Sequence, residues 1–158
     1  MLMSPHDAKV VYYGGNKLFK TTDRGHAWSP ISPDLTRNQD WKKLPILGPE
    51  RSDQTLSRDD GVSDFGTITT MTESPKQAGL LYVGTDDGNV QMTRDGGKTW
   101  QDLTEKFRLR QRWVSRVVAS AHDAATAYVT FDGHQDDDFK PYIFKTTDSG
   151  RVSVTSFC

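Results

Sequence analysis

The chain has 158 residues and a formal net charge of −1, from 20 Lys and Arg against 21 Asp and Glu. That near-neutral balance, with no basic tract, excludes an electrostatic nucleic-acid footprint, and no apolar run reaches the ~20 residues of a membrane span. Hydrophobic residues make up 34%, which predicts thin cores between sheets rather than one large core; the only cysteine, Cys158, rules out an intrachain disulfide.

In chain order, Met1-Leu2-Met3 runs at once into a polar turn, Ser4-Pro5-His6-Asp7, with no signal-peptide pattern before it. A short apolar run follows, Val10-Val11-Tyr12-Tyr13-Gly14, then Lys17-Leu18-Phe19-Lys20-Thr21, both with the β-branched and aromatic content of strands. The next residues, Thr21-Thr22-Asp23-Arg24-Gly25-His26-Ala27-Trp28, return as Thr93-Arg94-Asp95-Gly96-Gly97-Lys98-Thr99-Trp100 and as a truncated Thr146-Thr147-Asp148-Ser149-Gly150. The phrase has the chemistry of a tight turn. An Asp carboxylate accepts main-chain N–H groups that follow it, Thr adds a hydroxyl, and Gly takes positive φ without a Cβ clash. The Trp then opens the next strand and is expected to bury its ring between sheets, at Trp28 and Trp100 alike.

The repeat extends upstream. Ser74-Pro75-Lys76-Gln77 leads into Leu80-Leu81-Tyr82-Val83-Gly84, and Ser120-Ala121-His122-Asp123 into Thr126-Ala127-Tyr128-Val129-Thr130. Each is followed by a second strand, Asn89–Thr93 or Pro141–Lys145, and preceded by another, Gly66–Met71 or Trp113–Val118. Repetition of a whole supersecondary unit decides a fold before any one motif does. The expectation is an all-β chain, a partial β-propeller of about two and a half four-stranded antiparallel blades. With strands A to D counted outward from the axis, residues 8–32 read as BCD, 65–104 as ABCD and 113–150 as ABC. After Gly150 the phrase breaks off, and residues 151–158 read as foreign to the repeat, although their alternation suits a makeshift fourth strand. Incomplete end blades leave bare sheet edges and apolar faces, around Trp28 and around Tyr142 and Phe144, so a homo-oligomer is expected.

Asp23 to Asp95 is longer than Asp95 to Asp148 because of an inserted connection over 33–64, Pro-punctuated and charged; long ordered loops are often functional. In a four-stranded meander the D-to-A and B-to-C connections share one face. That face gathers Arg58, Asp59, Asp60 and Asp64, the Asp86-Asp87-Gly88 turn, Arg112 and Trp113, and Asp132, His134 and Asp137. Paired carboxylates across a groove are how glycoside cleavage is built, so Asp59, Asp60, Asp64, Asp132 and Asp137 are the catalytic candidates, with Arg58, Arg112, Trp113 and His134 as binding candidates. The box residues Asp23, Gly25, Trp28, Asp95, Gly97, Trp100, Asp148 and Gly150 belong to the far face and are assigned to structure. Asp86-Asp87-Gly88 suits a primed hairpin turn. The segment Asp132–Asp138 carries enough carboxylate to hold calcium, without EF-hand spacing; no other cofactor or metal set is indicated. There is no Gly-x-Ser-x-Gly elbow and no phosphate-cradling glycine loop.

The pattern Ser/Thr-x-Asp-x-Gly-x-Thr-Trp resembles the Asp-box, or bacterial neuraminidase repeat, of β-propellers. Within that group Tyr82–Trp100 is most similar to large bacterial proteins labelled sortilin-like or glycosyl hydrolase, as are Ser57–Asp64 and Phe131–His134 with Asp137–Tyr142. The resemblance covers the chain up to Gly150. It implies a propeller of the kind that serves as sialidase, xyloglucan-cleaving glycosidase or peptide receptor, and a secreted or periplasmic location. An Asp-box identifies a scaffold, not a reaction. Two function classes therefore follow: a scaffold binding a glycan or peptide, or a glycoside-hydrolase-type hydrolase using two of the candidate carboxylates.

Overall fold

A computed structural model describes residues 1–40, 66–134 and 137–150, together with a strand over 155–157. The described residues form three four-stranded antiparallel sheets, each a meander in chain order. The first holds β1 (Leu2–Met3), β2 (Val11–Gly14), β3 (Leu18–Thr21) and β4 (Ser29–Pro30). The second holds β5 (Ile68–Glu73), β6 (Leu81–Thr85), β7 (Val90–Thr93) and β8 (Gln101–Asp102). The third holds β9 (Trp113–Ala119), β10 (Ala127–Gly133), β11 (Asp138–Thr146) and β12 (Thr155–Phe157). Helix among these residues is confined to short 3-10 geometry, at Thr104–Phe107 and at His134.

The period of two sends alternate side chains to opposite sheet faces, and each face meets a neighbouring sheet. Tyr12 and Leu18 of the first sheet pack on Ile68, Leu81 and Val83 of the second. Tyr82, Val90 and Met92, on the other side of the second sheet, pack on Val117, Val129 and Phe144 of the third. The middle sheet is covered on both faces, so β6 is buried at all five positions. That is why its sequence is a continuous apolar run rather than an alternating one. Phe107, Phe131 and Phe144 close the second contact edge to face, with centroids 5.0 to 5.6 Å apart, the geometry aromatic quadrupoles favour.

The structure adds two short strands to those expected. The first blade gains β1 as its strand A, pairing Leu2 with Tyr12 and Met3 with Val11. Two residues are too few to show a period in sequence. The third blade gains β12, which pairs Phe157 with Ile143 and Thr155 with Lys145, so part of the tail does serve as the fourth strand. Two expectations about the end faces are corrected. Trp28 is not buried between sheets: it is 39% exposed, because a box Trp packs against the preceding blade and Trp28 belongs to the first. On the third blade the open face is not that of Tyr142 and Phe144. Phe144 is buried against the second blade while its neighbour Ile143 is 41% exposed, as strand alternation requires.

Candidate ligand-binding face

The three repeated turns are built by the same bonds. The hydroxyls of Thr21, Thr93 and Thr146 donate to Asp23, Asp95 and Asp148 at 2.6, 2.8 and 2.8 Å. Each hydroxyl in turn accepts the N–H of the Gly four residues on, Gly25, Gly97 or Gly150. Asp23 and Asp95 accept the N–H of Ala27 and Thr99, and Thr99 adds its hydroxyl to Asp95 at 2.6 Å. These donors hold both carboxyls below the usual carboxylate range, led by Thr21 at Asp23 and by Thr99 at Asp95. The residue after each Asp donates its main-chain N–H to the corner between strands A and B: Arg24 to Lys9, Gly96 to Gly79 and Ser149 to Ala125.

The boxes also join blades. The Trp100 indole N–H reaches the Ile31 carbonyl of the first blade at 3.0 Å and that of Gly97 in its own turn at 3.2 Å. A Cβ on Gly97 would lie 2.5 Å from the Ile31 carbonyl oxygen, and one on Gly150 would lie 2.7 Å from the Leu103 side chain. Ile31 and Leu103 are equivalent residues, each just past strand D. The Trp28 indole makes the within-turn bond, to Gly25 O at 3.2 Å.

On the opposite face the structure brings several candidate site residues together at the loop end of the third blade, on the side of its sheet turned away from the second. Trp113 opens β9 directly across from Asp132 in β10, so the two side chains share one side of the sheet. Trp113 is 40% exposed. Asp132 Oδ1 accepts the His134 N–H at 2.9 Å, and the His134 ring Nδ1 lies 2.6 Å from Asp132 Oδ2. The His134 main chain and ring hold the Asp132 carboxyl below the usual range. Asp137 sits in the same turn, exposed, in the left-handed region with φ 55°, its N–H on the His134 carbonyl at 3.2 Å.

Arg112 is engaged elsewhere. Its guanidinium is 2.7 Å from Asp138 Oδ2 and stacks over the Tyr142 ring at 4.9 Å, while the Tyr142 hydroxyl donates to the same Asp138 oxygen at 2.6 Å. The Tyr142 bond, then the Lys140 N–H and the Arg112 charge, keep Asp138 ionised. This cluster links the residue before β9 to β11, across the sheet from it, and ties a binding candidate into the scaffold.

Asp86 and Asp87 carry more than a hairpin turn. Asp87 is fully buried, accepting the Thr85 hydroxyl at 2.5 Å and the Arg37 N–H at 2.6 Å. The Thr85 hydroxyl accepts the Asn89 N–H at 2.8 Å, so Thr85, Asp87 and Asn89 repeat the box geometry on the other face. The signal was in the sequence as Thr, then Asp two residues on, without the Trp. Asp86 accepts the N–H groups of Gly66 and Thr67 at 3.0 and 2.8 Å. Burial pushes its carboxyl up against those bonds, and neighbouring Asp87 adds to the rise. Residues 34–40, the described start of the inserted connection, are tied down by these groups and by a pair of bonds between Gln39 and Gln111 at 2.9 and 2.8 Å.

Arg58, Asp59, Asp60 and Asp64 lie outside the described residues, as does Asp136 of the calcium candidate segment. Among the described residues, no group of three His, Cys, Asp or Glu side chains converges to hold a metal, and no helix is long and apolar enough to cross a membrane.

Neither a protein-family model nor a curated protein matches the sequence. Solved structures do match in fold. An ancestral GH74 enzyme superposes with a TM-score of 0.63 at 14% identity, over 99% of this chain and 18% of that one. The GH74 xyloglucanase from Xanthomonas campestris gives 0.59 at 18% identity, over 98% and 21%. YCF48 bound to D1 peptide gives 0.56 at 16% identity, over 95% and 37%. These proteins are β-propellers, and the chain is three consecutive blades of a β-propeller. It spans about a fifth of the length of the GH74 enzymes.

Proposed function

We propose that the chain is the ligand-binding part of a β-propeller and takes a glycan at the loop end of its third blade, on the side turned away from the second. The observation that supports this reading is the cross-strand pair of Trp113 and Asp132, with His134 beside it. An exposed indole face stacks on the C–H face of a sugar ring, and an ionised carboxylate with an imidazole supplies acceptor and donor for its hydroxyls. Among the described carboxyls, electrostatics favour binding over cleavage. A glycosidase needs one carboxyl held protonated near neutral pH, yet Asp132 and Asp138 are both shifted the other way. Asp86 is shifted upward, but its Oδ1 is occupied by two main-chain N–H groups. The neighbours supply the competing ligand class: one is a xyloglucanase and another was solved with a peptide.

The test is titration calorimetry with xyloglucan oligosaccharides, a wider glycan panel and a random peptide pool, alongside turnover of chromogenic glycosides. The expected result is glycan binding without turnover, weakened at least tenfold by Trp113→Ala and less by Asp132→Asn, with an unchanged β-type circular dichroism spectrum. Binding only to peptides would move the ligand class. Turnover lost in the double variant Asp60→Asn with Asp132→Asn would establish the hydrolase instead. Glycan binding indifferent to Trp113 would remove the site.

A further inference from the structure

The inner strands of the second and third blades, β5 and β9, line a hollow that neither the boxes nor the loop face uses. Its volume is about 340 Å³, and its wall includes Ile68, Thr69, Thr70 and Thr72 of β5 with Arg116 and Val118 of β9. The innermost strands of a propeller face its central channel. Further blades therefore continue such a wall around the axis and do not cover it.

The polar groups left over on this wall are hydrogen-bond donors. Thr70 and Thr72, two residues apart, share one side of β5. Their hydroxyls accept the main-chain N–H groups of Val117 and Ala119 in β9, at 3.1 and 3.4 Å. A hydroxyl also has a proton to give, and neither threonine gives it to a described residue. The Thr69 hydroxyl, by contrast, is engaged with the carbonyls of Gly84 and Val114. Arg116 is exposed on the same wall, where no acidic side chain stands, and it pairs with no described carboxylate. The strand registers put Arg116 at the place of Thr70 one blade on: they sit opposite Thr130 and Gly84, which pair in turn with Ile143 and Val90. An arginine has donors and no acceptor, so it cannot serve a following inner strand as Thr70 serves β9. Its charge is left to the channel.

We propose that this inner wall is an anion-binding site in the propeller channel, taking the phosphate or carboxylate group of a small ligand. Arg116 supplies the charge, and the Thr70 and Thr72 hydroxyls supply further donors. A guanidinium offers paired N–H groups that match two oxygens of either oxyanion. A recessed wall carrying one sign of charge concentrates counter-ions more than an open surface does. The proposal does not depend on the glycan reading, whose residues Trp113, Asp132 and His134 lie at the loop end of the third blade.

The experiment is calorimetric titration of the full chain with sodium phosphate and, separately, sodium succinate, at constant ionic strength with sodium chloride as the control. Saturable millimolar binding of at least one anion is expected, and the tighter of the two assigns the ligand group as phosphate or carboxylate. Arg116→Gln should weaken that binding at least tenfold while leaving glycan binding unchanged, which separates a failure here from a failure of the glycan site. Thr72→Val should weaken it about threefold, and Thr72→Ser should restore it. If Arg116→Gln lost its β-type circular dichroism, Arg116→Lys would replace it. That variant keeps the charge but not the planar fork and should still bind severalfold less tightly. Neither anion binding beyond the chloride control would overturn the proposal. Anion binding indifferent to Arg116 would overturn it equally, as a contact made elsewhere on the surface.

Discussion

The hydroxyl of Tyr12 in the first blade donates to Glu73 Oε1 in the second, at 3.3 Å, and the same oxygen accepts the Gly79 N–H at 2.9 Å. Glu73 is 5% exposed, so one buried carboxylate joins two blades and closes the corner of its own. The repeat does not copy it. Tyr82 takes the place of Tyr12 one blade on, but Ala119 stands where Glu73 stood. Tyr12→Phe should therefore cost about 1 kcal/mol by leaving the carboxylate short of a donor, and Tyr82→Phe should cost less. Chemical denaturation of the two variants measures the difference; equal losses would refute the role given to Glu73.

The two adjacent glycines of the second box should respond oppositely to substitution. A side chain at Gly96 meets open space, and the first and third boxes carry Arg24 and Ser149 there at φ 63° and 56°. Gly96→Asn should be near neutral. Gly97, at φ 101°, abuts the Ile31 carbonyl, so Gly97→Ala should cost roughly 2 kcal/mol or more from backbone strain and displaced blade packing. Thermal unfolding of both variants settles the contrast.

Thr93 is 1% exposed and its hydroxyl accepts the Gly97 N–H while donating to Asp95. Thr93→Val keeps the shape and removes the hydroxyl, which should cost about 1–3 kcal/mol for the unpaired groups left behind. Thr93→Ser should recover most of it, and failure of that rescue in a urea titration would argue against the bond.

Alkaline pH should unfold the chain earlier than a tyrosine-free core would allow. Burial raises the Tyr12 and Tyr82 phenols above 10.0, with Glu73 adding to the rise at Tyr12. The folded state holds both neutral, while the unfolded state releases their protons from 10.0 upward. Stability from these groups is therefore intact below that pH and is lost as the pH climbs past it. Tm measured from pH 8 to 11.5 should bend downward near 10, less steeply in Tyr12→Phe; an unchanged profile in that variant would contradict the assignment.

The sequence showed the blades through the boxes and the Ser-led corners, because those devices are local: Thr21, Asp23 and Gly25 close their turn without help from elsewhere. It hid β1, whose two residues are a strand only by virtue of the neighbour they pair with, whereas the alternation of residues 151–158 did point to β12. It also misjudged Trp28, since burial of a box Trp depends on which blade precedes it, a property of array position rather than of the motif. At the loop face, Trp113, Asp132 and His134 were legible as residue types and the cross-strand register brought them together. The Arg112–Asp138–Tyr142 brace was not legible, because nothing in the spacing of Arg112 and Asp138 announces that they meet. Asp87 was undervalued for the same reason, its partner Arg37 lying far upstream.

The bond from each box to the A–B corner is made by main-chain atoms alone, from Arg24, Gly96 and Ser149 to Lys9, Gly79 and Ala125. No side chain has to be kept for it, and six unrelated residues already make it three times. A repeat held this way can drift in sequence while its sheet geometry stays put, which is how a fold comes to be shared where little identity survives. Proline, which has no N–H to give, is the one substitution at the donor positions that this tie cannot absorb.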